Sequence, residues 1–455
     1  MTSAEVSAQG VGVRRPAGIA IALAVALVFC CVRLASADAL FTFGLDPKSQ
    51  AAGNASVASA PDLGAPYVNP ATMSLLRRPL AGFGYFYSGD RLTTTNAPDA
   101  ALDDTRGLAL GALIPIPFRH ALADRVAFGV SFFFPNGAVL NLKVPYPDQP
   151  QYLLFQNAGR SLAVVAGLSI RPLDGVAIGG GAQYYDNTNG RIDATVDPNG
   201  QVDAVVGEEL TTTFSPIGGL LLSPAKWFDG APDLRLAFVF RDEFSTTYEI
   251  PVSSYIGDIP LNVSIKATSL YTPRHWTGGL SYHRPRWHAE VDALYLEWSE
   301  YPDPNLQLHA DFTIPVLPVT FQDSRTYDPD FHDTISLRAG GEWIAAGDER
   351  LDLRVRGGYG FEPSPIPAQT GATNYLDSDR HVGALGGGIG WRDTDGRASS
   401  LDLAFQYHHV VPRTFHKGTN VDAANPGYPE IGVKGGIWAS GVAYSTSFDF
   451  EGLGR

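Results

Sequence analysis

Apolar and polar residues alternate with a period of two along much of this chain. Leu351, Leu353 and Val355 alternate with charged residues, and segments 234–241 and 401–408 show the same kind of pattern. Successive side chains of a strand point to opposite faces, so each segment predicts a strand with one apolar and one polar face. A soluble sheet packed on a core has this pattern, and so has a membrane barrel surrounded by lipid.

The number of such segments favours a closed barrel. We predict fourteen strands, near residues 80–90, 106–116, 125–134, 160–171, 174–187, 208–222, 233–246, 273–284, 286–301, 333–345, 350–361, 380–391, 399–410 and 435–450. Their usual length matches the ~9–11 residues with which a tilted strand crosses a bilayer. An even number of strands is the rule for single-chain bacterial barrels.

The connections between the predicted strands alternate in length. Short ones such as 172–173 and 284–286 are followed by long ones at 135–159, 187–207, 247–272, 302–332, 362–379 and 411–434. Outer-membrane barrels have short periplasmic turns and long outer loops, whereas a sandwich has no reason to alternate in this way. The region 247–272 has room for additional strand.

The chain begins with the features of a secretion signal. Arg14 and Arg15 precede the apolar stretch 19–32, and residues 35–37 have the small-residue spacing of a cleavage site. We therefore predict that residues 1–37 are a cleaved signal peptide. An uncleaved membrane anchor is the weaker alternative, because the apolar stretch is shorter than the ~20 residues of a transmembrane helix.

Export restricts the possible fold classes further. The two cysteines, Cys30 and Cys31, lie inside the predicted signal peptide, so we expect no disulfide, thiol nucleophile or cysteine metal site in the mature protein. Lipid attachment to either cysteine is disfavoured, because neither follows a small residue. No later window has ~18 consecutive apolar residues, so no membrane helix is predicted. A periplasmic or secreted β-protein and an outer-membrane barrel are the two fold classes that fit.

Composition favours the barrel. The chain has 49 glycines and 11% aromatic residues, with only average hydrophobicity, as expected when each strand is half apolar. The net charge of -14 argues against nucleic acid as a partner, because a phosphate-binding face needs clustered Lys and Arg. The predicted fold is an all-β transmembrane antiparallel barrel over residues 80–450, followed by a short tail, 451–455. The predicted location is the bacterial outer membrane.

The last strand shows where lipid would lie. Trp438, Val442, Tyr444, Phe448 and Phe450 share one parity and are predicted to face the membrane, with Trp and Tyr at the interfaces. A terminal aromatic residue is commonly read by the barrel assembly machinery, which makes that machinery an expected partner. Phe450 would serve in this role, although five residues follow it.

Residues 38–79 precede the first predicted strand and are rich in small and turn-forming residues. A segment this short cannot build its own core. It is either a disordered periplasmic tail or a plug folded inside the barrel.

Three parts of the chain resemble the FadL/TodX family of outer-membrane transporters for long-chain fatty acids and other hydrophobic compounds. They are residues 53–58 with Asn69, Pro70 and Ala71; residues 273–282 with Trp298 and Ser299; and residues 356–359, 364–367 and 377–381. The first resembles the N-terminal hatch of the family with its Asn-Pro-Ala motif. The resemblance implies a fourteen-stranded barrel, a hatch in its lumen, and diffusive uptake of a fatty acid or hydrocarbon without energy coupling or cofactor.

The family also has a kink in its third strand that opens the wall toward lipid. Each CH₂ that leaves apolar contact for water costs ~0.8 kcal/mol, so such a ligand needs an apolar pocket and a lateral exit. The candidates here are at the end of the third strand: Phe132, Phe133, Phe134, Pro135 and Gly137. Proline removes a ladder hydrogen bond and glycine permits unusual dihedrals. The alternatives are an ordinary strand end and packing of the phenylalanines against the hatch.

Charged residues on the inward parity form a candidate polar network in the lumen. Its members are Arg338, Arg354, Arg356, Asp377, Asp379 and Arg380. Buried charges are costly when unpaired, so we predict ion pairs that hold the hatch. The alternative is that one arginine binds a ligand carboxylate.

Enzymatic function is the main competing class. The sequence has no G-x-S-x-G or H-E-x-x-H motif, so no catalytic residues are assigned and an enzyme is not expected. The ten histidines are scattered without the spacing of metal ligands, so no metal site is expected either. The alternative functions are a structural or adhesive barrel that acts through its long loops and, less favoured, a lipid hydrolase.

Overall fold

A computed structural model describes residues 39–59, 62–96, 102, 104–136, 148–155, 162–196, 202–228, 232–256, 259–305, 307–311, 328–348, 350–394 and 396–448. These residues lie in one compact unit, Leu34–Phe448. The predicted signal peptide 1–37, Gly137, Phe450 and the tail 451–455 lie outside the described residues. In the described part of the chain, no helix is long and apolar enough to cross a membrane.

The structure is dominated by strands. They are β1 (Leu80–Thr95), β2 (Thr105–Ile116), β3 (Val126–Pro135), β4 (Ala163–Leu173), β5 (Val176–Val196), β6 (Val202–Leu222), β7 (Leu234–Arg241), β8 (Phe244–Ile256), β9 (Ile259–Thr272), β10 (His275–Arg284), β11 (Trp287–Leu296), β12 (Gln307–Asp311), β13 (Thr334–Gly347), β14 (Leu351–Glu362), β15 (Arg380–Arg392), β16 (Ala398–His416) and β17 (Glu430–Ser447).

Fourteen of these strands form a closed antiparallel ring. Each pairs with the next, except that β7 pairs with β10 and β11 pairs with β13. The ring closes where β1 pairs with β17, from Leu80↔Ser447 to Thr95↔Gly432. The prediction of a fourteen-stranded barrel is confirmed.

The other three strands form an extension beyond the ring. β8 and β9 make a hairpin inserted between β7 and β10, and β12 pairs with β9. The hairpin also pairs in parallel with the end of β5, at Ile192↔Val252. The prediction that 187–207 is a loop was therefore wrong, because β5 continues to Val196 and β6 begins at Val202. Outside the bilayer neither face of a strand has to be apolar, so period-two alternation is not required there.

The two faces of the ring have the polarity of a membrane protein. On β16, Leu403 is 56% exposed and Phe405 is 48% exposed, whereas inward-facing Asp402 and His408 are at most 1% exposed. A soluble sheet would bury its large apolar side chains and expose the charged ones. An exposed apolar belt around a polar interior is the arrangement of an outer-membrane barrel.

Tryptophans mark one edge of this belt. Trp287 and Trp343 are paired across β11 and β13 beside short turns, and Trp391 lies next to another short turn on β15. All three are exposed. Trp is enriched where a membrane meets water, so this ring edge lies at an interface.

The described N-terminal segment, residues 39–59 and 62–76, is folded into short helical elements. It contains α1 (Ala39–Phe43), α2 (Pro47–Ala51), α3 (Ala65–Val68) and a 3₁₀ helix, Pro70–Leu75. Proline at the start of three of these elements and N-caps by Asp46 and Asn69 explain why such short helices form. α2 contacts β14–β17 and the 3₁₀ helix contacts β2–β6, so the segment touches widely separated strands of the ring.

Candidate functional site

The Asn-Pro-Ala motif anchors the N-terminal segment to one side of the ring. Asn69 is fully buried; its Nδ2 donates to the carbonyl of Val57 at 2.7 Å, and its Oδ1 accepts from the N–H of Ala71 at 3.0 Å. A Cβ on Gly219 would lie 2.1 Å from Asn69 Oδ1, and one on Gly179 would lie 2.3 Å from the nitrogen of Ala71. Only glycine on β5 and β6 allows the motif to approach this closely.

Two carboxylates of β11 hold the segment by its backbone. Asp292 Oδ2 accepts from the N–H groups of Ser56 at 2.9 Å and Val57 at 3.4 Å, and Glu290 Oε1 accepts from that of Ala58 at 2.6 Å. Both carboxylates are buried on the inward face of β11, where ion pairs with inward arginines are one way to balance their charge. Instead, they satisfy backbone donors of a segment without strand partners, as buried N–H groups require.

A third anchor is an ion-pair cluster on β13, β14 and β16. Arg356 is 2% exposed; it binds Asp402 at 2.7 Å through Nη1 and Glu342 at 2.7 Å through Nε. Lys48 of α2 lies 3.8 Å from the same Asp402. The predicted network residue Arg356 is thus linked to the N-terminal segment through one shared carboxylate.

Three other predicted network residues form a chain at the opposite end of the strands. Arg338 and Arg380 both bind Glu362, each at 3.1 Å, and Arg380 also binds Asp377 at 3.0 Å. Two buried cations are balanced by two buried carboxylates, as expected where unpaired charges would be expensive. Both arginines, Arg338 and Arg380, therefore already have a carboxylate partner.

The remaining two predicted network residues lie apart from these clusters. Arg354 pairs with Asp352 of its own strand at 2.9 Å. Asp379 accepts a hydrogen bond from the N–H of Ser364 at 2.9 Å and so orders the connection before β15. The six residues therefore do not form one network.

A pair of acidic residues lies inside the N-terminal segment. A Cβ on Gly64 would be 3.3 Å from both the Cβ of Asp46 and Oδ1 of Asp62, so the two acidic side chains are close. Asp62 is half-buried. Loss of hydration and repulsion from Asp46 raise its pKa to about 7, although the nearby charge of Lys48 acts in the opposite direction. This segment carries a carboxyl group that gains a proton near neutral pH.

The triple-phenylalanine run resolves into one inward and two outward side chains. Phe133 is 2% exposed and packs edge-on against Phe86 at 6.1 Å, which in turn lies 5.4 Å from Phe43 of α1. Phe132 and Phe134 face outward and stack on each other at 5.8 Å. The aromatic contacts lead from the N-terminal segment to the wall at β3.

The pairing of β3 differs on its two sides. Its register with β2 is continuous up to Gly107↔Pro135. Its register with β4 ends at Phe133↔Ala163. Within the described residues, Phe134 and Pro135 have no partner on β4, and Gly137 is not described.

An apolar cluster that the sequence did not reveal lies beyond the N-terminal segment. Its buried members are Leu153, Tyr271, Leu296, Trp298, Tyr301, Phe331, Ile366 and Tyr375. Phe41 of α1 packs against the cluster, with its ring 6.3 Å from that of Trp298. We call this the outer aromatic cluster. Its residues come from six separate stretches of chain, so no local pattern predicts that they meet.

Residues 257–450 match the family model described as outer membrane protein transport protein (OMPP1/FadL/TodX). The match covers less than half of the chain, so it shows a similarity of this C-terminal part to that family. No curated protein matches the chain.

Solved structures share the fold of this chain. A Pseudomonas aeruginosa FadL homologue is 14% identical, with 91% of this chain and 98% of that one covered and a TM-score of 0.55. The P. putida toluene transporter TodX is 16% identical, with coverages of 89% and 98% and a TM-score of 0.52. The Ralstonia pickettii toluene transporter TbuX is 13% identical, with coverages of 89% and 99% and a TM-score of 0.51.

A small cavity separates the N-terminal segment from the wall of the ring. Its volume is ≈ 50 Å³, and it is lined by residues of α1, the stretch 44–68, β7, β10, β11 and β13. A cavity of about 150 Å³ is of the size that holds benzene. The space therefore suits a small group or a few waters, and a whole hydrophobic ligand fits only if neighbouring side chains move.

Proposed function

We propose that this chain is an outer-membrane channel that takes up hydrophobic small molecules, such as long-chain fatty acids or hydrocarbons, by diffusion. The ligand binds among apolar side chains inside the barrel and leaves sideways into the membrane. The observation that supports the proposal is that α1 contributes to two sets of aromatic contacts. Phe41 contacts Trp298 of the outer aromatic cluster, and Phe43, two residues later, contacts Phe86, which contacts Phe133 at the wall.

The segment 38–79 acts as the hatch in this proposal. Its later part is held by hydrogen bonds to Asp292 and Glu290 and by the Asn69 contacts. Its start is held differently, since Leu40 and Phe43 belong to the apolar core and Phe41 packs against aromatic rings. An apolar ligand replaces apolar contacts at little cost, whereas it cannot replace hydrogen bonds. The first residues of the hatch are therefore the exchangeable part.

The exit lies at the end of β3. Pairing with β4 ends at Phe133, and Pro135 has no N–H with which to extend that ladder. Among the described residues, a ligand that leaves through the wall at this point breaks no hydrogen bond between β3 and β4. A buried Phe133 next to this place offers the ligand an apolar surface on the inner side.

The chain acts without catalysis in this proposal. A Ser–His contact lies between Ser281 Oγ and His283 Nε2 at 2.9 Å. Ser281 is fully buried, and its hydroxyl also contacts the carbonyl of Ala58 in the hatch at 3.3 Å. A nucleophile needs access to substrate, so this pair fits a structural role.

A pair of variants tests the path. Phe133→Gln keeps a side chain of moderate size but makes the inner wall polar, so uptake of a labelled hydrophobic solute by cells should fall severalfold. Phe132→Gln makes the same change on the neighbouring outward position and should leave uptake nearly unchanged. Surface levels of both variants are compared by heat-dependent migration in gels. Equal uptake by both variants would remove β3 from the route.

A further inference from the structure

Basic side chains lie together on the outward face of the ring, where its first and last strands meet. Arg91 of β1 pairs with Gly436 of β17. Gly436 pairs on its other side with His409 of β16, which in turn pairs with His381 of β15. Lys434 lies two residues from Gly436 on the same face of β17. Arg91, Lys434, His409 and His381 are all exposed, and we call these four residues the outward basic patch.

Gly436 leaves an open place at the centre of this row. A Cβ at position 436 would collide with Oη of Tyr407, so the tyrosine hydroxyl lies over the glycine. Neighbouring strands are about 4.8 Å apart, so the backbones of Arg91 and His409, on either side of β17, are separated by roughly 10 Å. A group of a few atoms fits between their side chains, with the Tyr407 hydroxyl beneath it.

The two strong cations of the patch have no acidic partner on the protein. Within the described residues, no carboxylate oxygen lies within 4.0 Å of the Arg91 guanidinium or the Lys434 ammonium. Glu430, on the same strand as Lys434, pairs with His416 at 3.1 Å instead. The whole chain has a net charge of -14, so unpaired neighbouring cations are not what its composition predicts.

One carboxylate lies beside the patch. Asp104 accepts a hydrogen bond from Oη of Tyr87 at 2.6 Å. Exposed Arg106 pairs with Tyr87 across β1 and β2, which places a further cation next to this carboxylate. The local charge around the patch therefore remains positive.

The register places the patch at the outer boundary of the apolar belt. Trp391, at the edge marked by short turns, pairs with Ser399, and His409 lies ten residues further along β16. At ~3.4 Å per residue and a tilt of about 40°, these residues span roughly 26 Å across the membrane, close to the ~25 Å height of the apolar band in such barrels. The connections at this end are the long ones, such as 363–379, so the patch lies at the head groups of the outer leaflet.

The outer boundary of the ring is not basic all round. On β10 and β11 the outward aromatic side chains end at carboxylates: Trp276 Nε1 donates to Glu297 at 3.1 Å, and Tyr295 Oη donates to Asp333 at 2.5 Å. An anionic head group would be repelled there. The cations therefore distinguish one sector, formed by β15–β17 and β1, as the place where an anion fits.

We propose that the outward basic patch binds a phosphate group of lipopolysaccharide in the outer leaflet, with Arg91 and Lys434 as the cations that hold it. Phosphate oxygens accept hydrogen bonds from guanidinium, ammonium, imidazole and hydroxyl groups together. The acyl chains of the same lipid then lie against the apolar belt below, where Leu403 and Phe405 are exposed. This site is on the face opposite the lumen and does not depend on which molecule the channel carries.

The first test measures lipid binding to the full mature protein in detergent by native mass spectrometry. The probes are lipid A with its phosphates, lipid A from which the phosphates have been removed, and phosphatidylglycerol. Wild type should bind phosphorylated lipid A at least about tenfold more tightly than the phosphate-free form. Equal binding of these two forms would overturn the proposal. Phosphatidylglycerol that binds as tightly as lipid A would also overturn it, because the patch would then be a general surface for anionic lipids.

A pair of double variants identifies the residues responsible. Arg91→Gln with Lys434→Gln should weaken binding of phosphorylated lipid A about tenfold or more. Arg392→Gln with Lys226→Gln removes two exposed cations beside short turns at the other edge of the ring. This matched control should change the affinity less than about twofold, since it carries the same change of total charge. Heat-dependent migration in gels shows whether both are folded. Equal affinities of the two folded double variants would refute the assignment.

Discussion

Replacement of Asn69 by alanine should release the hatch. The side chain donates to Val57 and accepts from Ala71 in a fully buried site, so Asn69→Ala leaves one carbonyl and one N–H unpaired and removes an N-cap. An unpaired buried group costs roughly 1–3 kcal/mol and a lost cap about 1 kcal/mol. Both hydrogen bonds lie within the N-terminal segment, so a combined cost of about 2–4 kcal/mol raises the population of the unfolded segment by roughly 30- to 1,000-fold. An unfolded segment should no longer keep the lumen closed.

Electrical recording in planar bilayers measures this change. The wild-type barrel should conduct ions rarely, and Asn69→Ala should show frequent openings. Asn374→Ala is the matched control: Asn374 is also fully buried, but it donates to Asp148 and Asn425 in the connections outside the barrel wall. Its conductance should stay at the wild-type level. Conductance of Asn69→Ala that equals that of Asn374→Ala would refute the anchoring role of the motif.

Two further predictions concern the same segment. Deletion of residues 38–76 should leave a folded barrel, seen by heat-dependent migration, and increase leakage of small polar solutes from liposomes; unchanged leakage would count against a luminal plug. Burial and repulsion from Asp46 raise the pKa of Asp62 to about 7 in the folded state. The unfolded state loses this proton at lower pH, so Asp62 lowers the free energy of unfolding as pH rises from about 4 to 7. Asp62→Asn should therefore raise the melting temperature at pH 8 and leave it unchanged at pH 3.5; a rise of equal size at both would contradict this.

The spanning strands were predictable because one face of each strand contacts lipid and the other faces the polar lumen, which makes apolar and polar residues alternate. Lipid outside and polar groups inside force residues such as Leu401 and Asp402 to alternate, so fourteen strands were predicted in the right places. The extension formed by β8, β9 and β12 is not part of the fourteen-stranded ring, so the ring's alternation is not required there. Its hairpin was therefore read as loop, although the region 247–272 was recognised as having room for strand.

The site was less predictable, for a different physical reason. Parity shows that Arg356 faces inward but not which carboxylate it meets, and Asp402 is 46 residues away. Parity also could not show that Arg241 would meet Tyr67 of the N-terminal segment, because that depends on how the segment packs against the ring. The hatch motif Asn69–Ala71 was identified from resemblance, whereas the need for Gly179 and Gly219 beside it follows only from the packed structure.

The central claim is that apolar molecules cross through the wall of a barrel whose lumen stays closed. The most direct measurement follows an apolar solute and an ion at the same time, in vesicles with an outer leaflet of lipopolysaccharide that contain the wild-type protein. The account predicts protein-dependent flux of the apolar solute with no matching ion conductance. Apolar flux equal to that of protein-free vesicles, or apolar and ionic fluxes that rise together, would contradict it.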